Sequence, residues 1–64
     1  MDNDYPTFGS QWQHHSKRIY TVLGTANIKN QNTNYPTTVV YIGKNGNLWT
    51  KLISNFYDTM KQIN

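Results

Sequence analysis

The stretch from Val39 to Leu52 constrains the fold of this chain more than any other. Val39-Val40-Tyr41-Ile42 is a β-branched and aromatic run, and Leu48-Trp49-Thr50-Lys51-Leu52 is a second run with alternating character. Gly43-Lys44-Asn45-Gly46-Asn47 lies between them. Asn-Gly is a strong short-range hairpin signal, because both residues tolerate the positive φ of a tight reversal. The stretch therefore predicts a β-hairpin. In its second strand, alternation puts Leu48 and Thr50 on one face and Trp49 and Lys51 on the other. We expect Leu48 to face the core and Trp49 to be at least partly exposed.

The rest of the chain has little room for anything larger. It has 64 residues and no cysteine. A domain this short buries only roughly 60% of its unfolded surface, so its stability is marginal. Disulfides, cysteine zinc sites and thiol nucleophiles are excluded. Core volume has to come from aromatics, which carry much apolar area each. Residues 1–8 (Asp2, Asn3, Asp4 and Pro6 among them) have no periodicity and read as a frayed terminus, leaving residues 9–64 as one small domain. No basic segment followed by an apolar run opens the chain, and no apolar stretch approaches the ~20 residues of a spanning helix. The expectation is a soluble, cytoplasmic protein.

Along the chain, Gln11 to His15 alternates, with Trp12 and His14 on one face and Gln13 and His15 on the other. Ser16-Lys17 reads as a tight turn. Arg18 to Thr25 is a second strand whose Ile19, Tyr20, Val22 and Leu23 do not alternate cleanly. Such a strand bends, and Gly24 is the natural place for the bend. Ala26 to Pro36 is rich in Asn and reads as a long exposed loop. After the hairpin, Ile53 to Phe56 suits a single 3₁₀ turn. Tyr57 to Ile63 reads as a weak last strand or a frayed helical turn. Strands of this number and length predict a mainly β fold. The expected architecture is a small, strongly bent five-stranded barrel with a 3₁₀ turn before its last strand.

Trp12-Gln13-His14-His15-Ser16-Lys17-Arg18-Ile19-Tyr20-Thr21-Val22-Leu23-Gly24 resembles the opening of a family of short bacterial and phage domains of unknown function. That family's pattern runs aromatic-Arg-His-Tyr-Lys-Gly-x-x-Tyr-x-Val-Leu-Gly. Val39-Val40-Tyr41 is similar to its Val-Val-Tyr strand, and Leu48-Trp49 followed by Ile53, Phe56, Tyr57, Asp58 and Thr59 is similar to its ending. The match covers Gly9 to Met60. The resemblance implies a Src-homology-3-like barrel and no assigned activity. This chain departs from the pattern at Gln13, His15, Lys17 and Lys51-Leu52. Where the family carries two arginines it has Gln13 and Lys51, which cannot reproduce a bidentate fork.

The chemistry-bearing residues are few. Neighbours on a strand point to opposite faces, so His14 and His15 are poorly placed to chelate one metal, and no third ligand stands at suitable spacing. A structural His14 beside Trp12 is the plainer reading. Asp58 stands apart from Asp2 and Asp4, and no serine has a nucleophile-elbow context. Neither an enzyme nor a cofactor is expected. Net charge is +3, spread over Lys17, Arg18, Lys29, Lys44, Lys51 and Lys61. A spread of this kind suits a solvated surface as well as a footprint.

Aromatics are the most informative set. Most of them fill a small core, but Trp and Tyr flanked by cations also make interface hot spots. The expected contact set is Trp12, His14, Lys17, Arg18, Tyr41, Trp49 and Lys51. The function it suggests is a non-catalytic module docking onto a larger protein, as a monomer or weak homodimer. Resemblance to phage domains suggests an accessory or inhibitor of a host protein. The alternative is a nucleic-acid-binding barrel that uses the same aromatics with Lys17, Arg18, Lys44 and Lys51.

Overall fold

The computed structural model describes residues 5–28 and 34–64; the first residues of the expected frayed terminus and the middle of the Asn-rich loop lie outside them. Among the described residues five strands and one helix follow in the order β1 (Gln11–His14), β2 (Ile19–Ala26), β3 (Thr38–Gly43), β4 (Leu48–Leu52), α1 (Ile53–Thr59) and β5 (Met60–Gln62). All ladders are antiparallel, and the sheet order is β4-β3-β2-β1-β5. The fold is mainly β. No helix among the described residues is long and apolar enough to cross a membrane.

Register decides which side chains share a face. Trp12 stands opposite Tyr20, Val22 opposite Tyr41, and Tyr41 opposite Trp49. His14 stands opposite Met60. Paired residues of an antiparallel ladder point the same way, so these side chains form one inner face. In β2 the register shifts between Val22 and Gly24. That bulge is the bend expected at Gly24, and it explains why β2 does not alternate.

Helix α1 lies over the inner face. Phe56, fully buried, meets Trp12 at 4.9 Å between ring centroids and Tyr41 at 5.5 Å, both edge-on. Burying such a side chain contributes roughly 1.5–3 kcal/mol. Val22, Val39 and Met60 complete the core with these rings. The Trp12 indole N–H donates to Ser10 Oγ at 2.9 Å, so the buried ring leaves no polar atom unsatisfied. Ser10 Oγ in turn donates to the Thr7 carbonyl at 2.6 Å, and Gly9 N–H donates to the Val22 carbonyl at 2.8 Å. Pro6 is buried. The described part of the N-terminal segment is thus tied to the sheet.

Four expectations are corrected. The 3₁₀ turn over Ile53–Phe56 is instead the start of a seven-residue α-helix, and Tyr57–Ile63, read as a weak strand or a frayed helical turn, divides between the end of that helix and a strand of three residues. Ile53, Phe56, Tyr57 and Met60 follow the i, i+3, i+4, i+7 pattern, which outweighs the weak alternation. Leu48 does not face the core; it is 65% exposed. It stands opposite Ile42 on the outer face, whereas α1 covers the inner one. His15 is not a strand residue facing away from His14: β1 ends at His14, and the two imidazoles stack at 3.9 Å. Finally, the sheet is open, since β4 and β5 are its two edges.

Candidate functional site

The β1–β2 and β3–β4 hairpins reverse at the same end of the sheet, because Tyr20 at the start of β2 stands opposite Gly43 at the end of β3. The β1–β2 reversal therefore lies beside the β3–β4 reversal. Between the two tips is a groove of about 350 Å³. Tyr20 and Gly43 line it from the sheet and Trp49 from the edge strand, while Lys17, Arg18 and Lys44 supply its cations.

Tyr20 is held in place. Its ring packs edge-on against Tyr41 at 5.1 Å. A Cβ at position 43 would sit 3.2 Å from Tyr20 Cε1 and 3.3 Å from Asn45 Oδ1, so the glycine lets the ring lie close to β3. Burial, followed by the neighbouring Tyr20, holds the Tyr41 hydroxyl above the ordinary tyrosine range. Trp49 is 44% exposed, as expected from the sequence. It shares the inner face with Tyr41, but its edge strand has no further neighbour to cover it.

Lys17 and Arg18 are carried by a turn with an unusual backbone. Lys17 has φ +81°, in the left-handed region that L side chains rarely adopt. The turn is stapled from the side. His14 Nδ1 accepts the Ser16 backbone N–H at 3.0 Å and lies 2.8 Å from Ser16 Oγ. A backbone N–H aimed at Nδ1 fixes this nitrogen as an acceptor, so the proton is on Nε2. Partial burial first, then the charges of His15, Lys51 and Arg18, hold the His14 pKa below its ordinary value.

The expected contact residues thus divide into three groups. Lys17, Arg18 and Trp49 come together at the tips. Trp12 and Tyr41, at 7% and 4% exposure, are core residues with no surface to offer a partner. His14 and Lys51 are half-buried on the inner face, and Lys51 Nζ donates to Thr59 Oγ1 at 3.1 Å. Tyr20 and Gly43 join the site unexpectedly, because their pairing register cannot be read from either strand alone.

A second hollow of about 510 Å³ lies on the other side of Lys17, where His14, His15, Lys61 and Asp58 meet. It mixes both charges, whereas no carboxylate among the described residues lines the tip groove. Among the described residues, no three His, Asp or Glu side chains stand close enough to hold a metal ion.

No family model, curated protein or solved structure matches this chain.

Proposed function

We propose that this protein is a non-catalytic binding module that docks onto a larger protein through the groove at its hairpin tips. The observation that carries the reading is the groove's composition: a half-exposed Trp49 and the Tyr20 ring beside three cations, with no carboxylate lining it among the described residues. An aromatic anchor flanked by cations is the residue chemistry of interface hot spots. Charge complementarity makes the partner surface acidic. A single-stranded nucleic-acid platform needs several exposed aromatics in a row. Trp12 and Tyr41 are buried, and the exposed rings of Phe8, Tyr35 and Tyr57 do not line the groove, so Trp49 is its one exposed aromatic, which favours a protein over a nucleic acid.

Strand order, the bulge in β2 and a helix joining the two edge strands support a Src-homology-3-like barrel, bridged by α1 rather than closed by a ladder. The resemblance to short phage domains supports a cytoplasmic accessory or inhibitor acting on a host protein, by analogy.

The test is an affinity capture from host lysate with and without nuclease, repeated with Trp49→Ala and Lys44→Glu. A protein captured by wild type in both conditions and lost from both variants supports the reading. Material that vanishes with nuclease, and whose binding falls steeply with salt, moves the assignment to nucleic acid. Trp49→Ala keeping its fold and its full capture removes the site.

A further inference from the structure

Strand β4 is an edge of the sheet, and its protection is slight: it is short and carries a single charge. It has no proline, its one charge is inward-facing Lys51, and Leu48, Trp49 and Leu52 are all exposed. Its free hydrogen-bonding groups can be identified. Gly43 N–H donates to the Asn47 carbonyl at 3.1 Å, and Ile53 N–H to the Thr37 carbonyl at 3.2 Å. Antiparallel pairs alternate between bonded and non-bonded, so Trp49 and Lys51 turn their main-chain groups to β3. Leu48, Thr50 and Leu52 turn theirs to the open edge. The Leu52 carbonyl is the exception, since Leu52 is the N-cap residue of α1.

We propose that β4 pairs antiparallel with β4 of a second copy about a twofold axis at Thr50, joining two sheets into one. The sequence Leu-Trp-Thr-Lys-Leu complements itself in this register. The twofold sets Leu48 against Leu52 of the second copy on the outer face. On the inner face it sets Lys51, the only cation of β4, against the ring of Trp49. No like charges meet across the strand pair. Each Thr50 exchanges both main-chain bonds with its counterpart, and each Leu52 N–H reaches the Leu48 carbonyl of the other copy. An interface of this kind is isologous and closes at two copies.

Pairing shares Trp49 with the docking groove, so the two compete for that ring, and they respond oppositely to salt. Each chain carries +3, so screening strengthens pairing of two copies while it weakens capture of an acidic partner.

The experiment uses sedimentation equilibrium over a concentration series, on wild type, Thr50→Lys and Thr50→Glu. Thr50 is exposed and stands on the outer face opposite Val40, so both variants keep the monomer fold, which circular dichroism checks. Wild type is expected to move from 7.5 kDa towards twice that mass as concentration rises, and further with added salt. Each variant puts like charges face to face on the axis and stays monomeric, although Thr50→Glu lowers the net charge. An equimolar mixture of the two restores the dimer. In wild type, the Thr50 and Leu52 amides gain hydrogen-exchange protection with concentration. A wild type that stays monomeric throughout, a dimer that survives both variants, or a mixture that stays monomeric overturns the proposal.

Discussion

The two hairpins reverse with the same backbone geometry and opposite chemistry. In the β1–β2 turn, His14 N–H donates to the Arg18 carbonyl and Lys17 N–H to the His14 carbonyl, both at 2.8 Å. In the β3–β4 turn, Gly43 N–H donates to the Asn47 carbonyl at 3.1 Å and Gly46 N–H to the Gly43 carbonyl at 3.0 Å. The fourth residue is left-handed in each, with φ +81° at Lys17 and +87° at Gly46. Glycine adopts this conformation without steric cost, whereas an L side chain there costs roughly 1–2 kcal/mol. One turn is therefore favoured by its own sequence. The other is held by its neighbours: His14 accepts from Ser16, and Gln13 Nε2 donates to the Lys17 carbonyl at 3.2 Å. Strain of this kind tends to persist where a side chain is needed at that position. Lys17 brings its cation to the groove from the strained residue itself.

Exchanging the residues tests this contrast most severely. Gly46→Lys forces a side chain into the left-handed region with open space around its Cβ, so backbone strain is the whole cost. It should destabilise by about 1–2 kcal/mol, lowering Tm by several degrees in thermal unfolding. Lys17→Gly should do the reverse on a smaller scale, since relief of strain is partly offset by glycine's greater chain entropy. A gain of about 0.5–1 kcal/mol is expected. The same variant removes one groove cation, so partner capture should weaken while stability rises. A Lys17→Gly protein that is less stable than wild type would show that Lys17 makes contacts worth more than its strain.

The same contrast explains what could be read in the sequence. Asn45-Gly46 announced its hairpin, but the structure uses positive φ at Gly46 and not at Asn45. The bulge at Gly24 and the partial exposure of Trp49 were legible because each depends on local pattern. The helix was only half visible, as one of two readings of the stretch from Tyr57. Ser54, Asn55 and Thr59 are poor helix formers, and alternation from Tyr57 to Ile63 imitated a strand. What forms α1 is packing of Phe56 between Trp12 and Tyr41, a tertiary effect no window of sequence contains. The site was half legible for the same reason. Lys17, Arg18 and Trp49 announced themselves as cations and an aromatic. Their meeting depends on Tyr20 standing opposite Gly43, and the fate of Trp12 and Tyr41 depends on a helix laid over them.

The gentlest test uses pH to loosen one turn and leave the other untouched. His14 braces the β1–β2 turn only while Nδ1 is free to accept from Ser16, so protonation there removes the brace. Its folded pKa lies below the ordinary 6.5, through partial burial and then the charges of His15, Lys51 and Arg18. A depressed pKa means that the unfolded chain binds the proton more readily. The stabilisation is therefore fully present above 6.5 and is lost as pH falls through the folded value. The β3–β4 turn has no such group, since Asn45 Oδ1 accepts the Asn47 N–H at 3.2 Å with an amide that does not titrate. Wild type should thus lose Tm between pH 7.5 and pH 5, with amide exchange quickening at Ser16 and Lys17 but not at Gly46. His14→Asn keeps a short acceptor for the turn without a titrating ring. It should flatten that part of the pH profile. An unchanged profile in His14→Asn would place the acid sensitivity elsewhere and leave the strained turn braced by Gln13 alone.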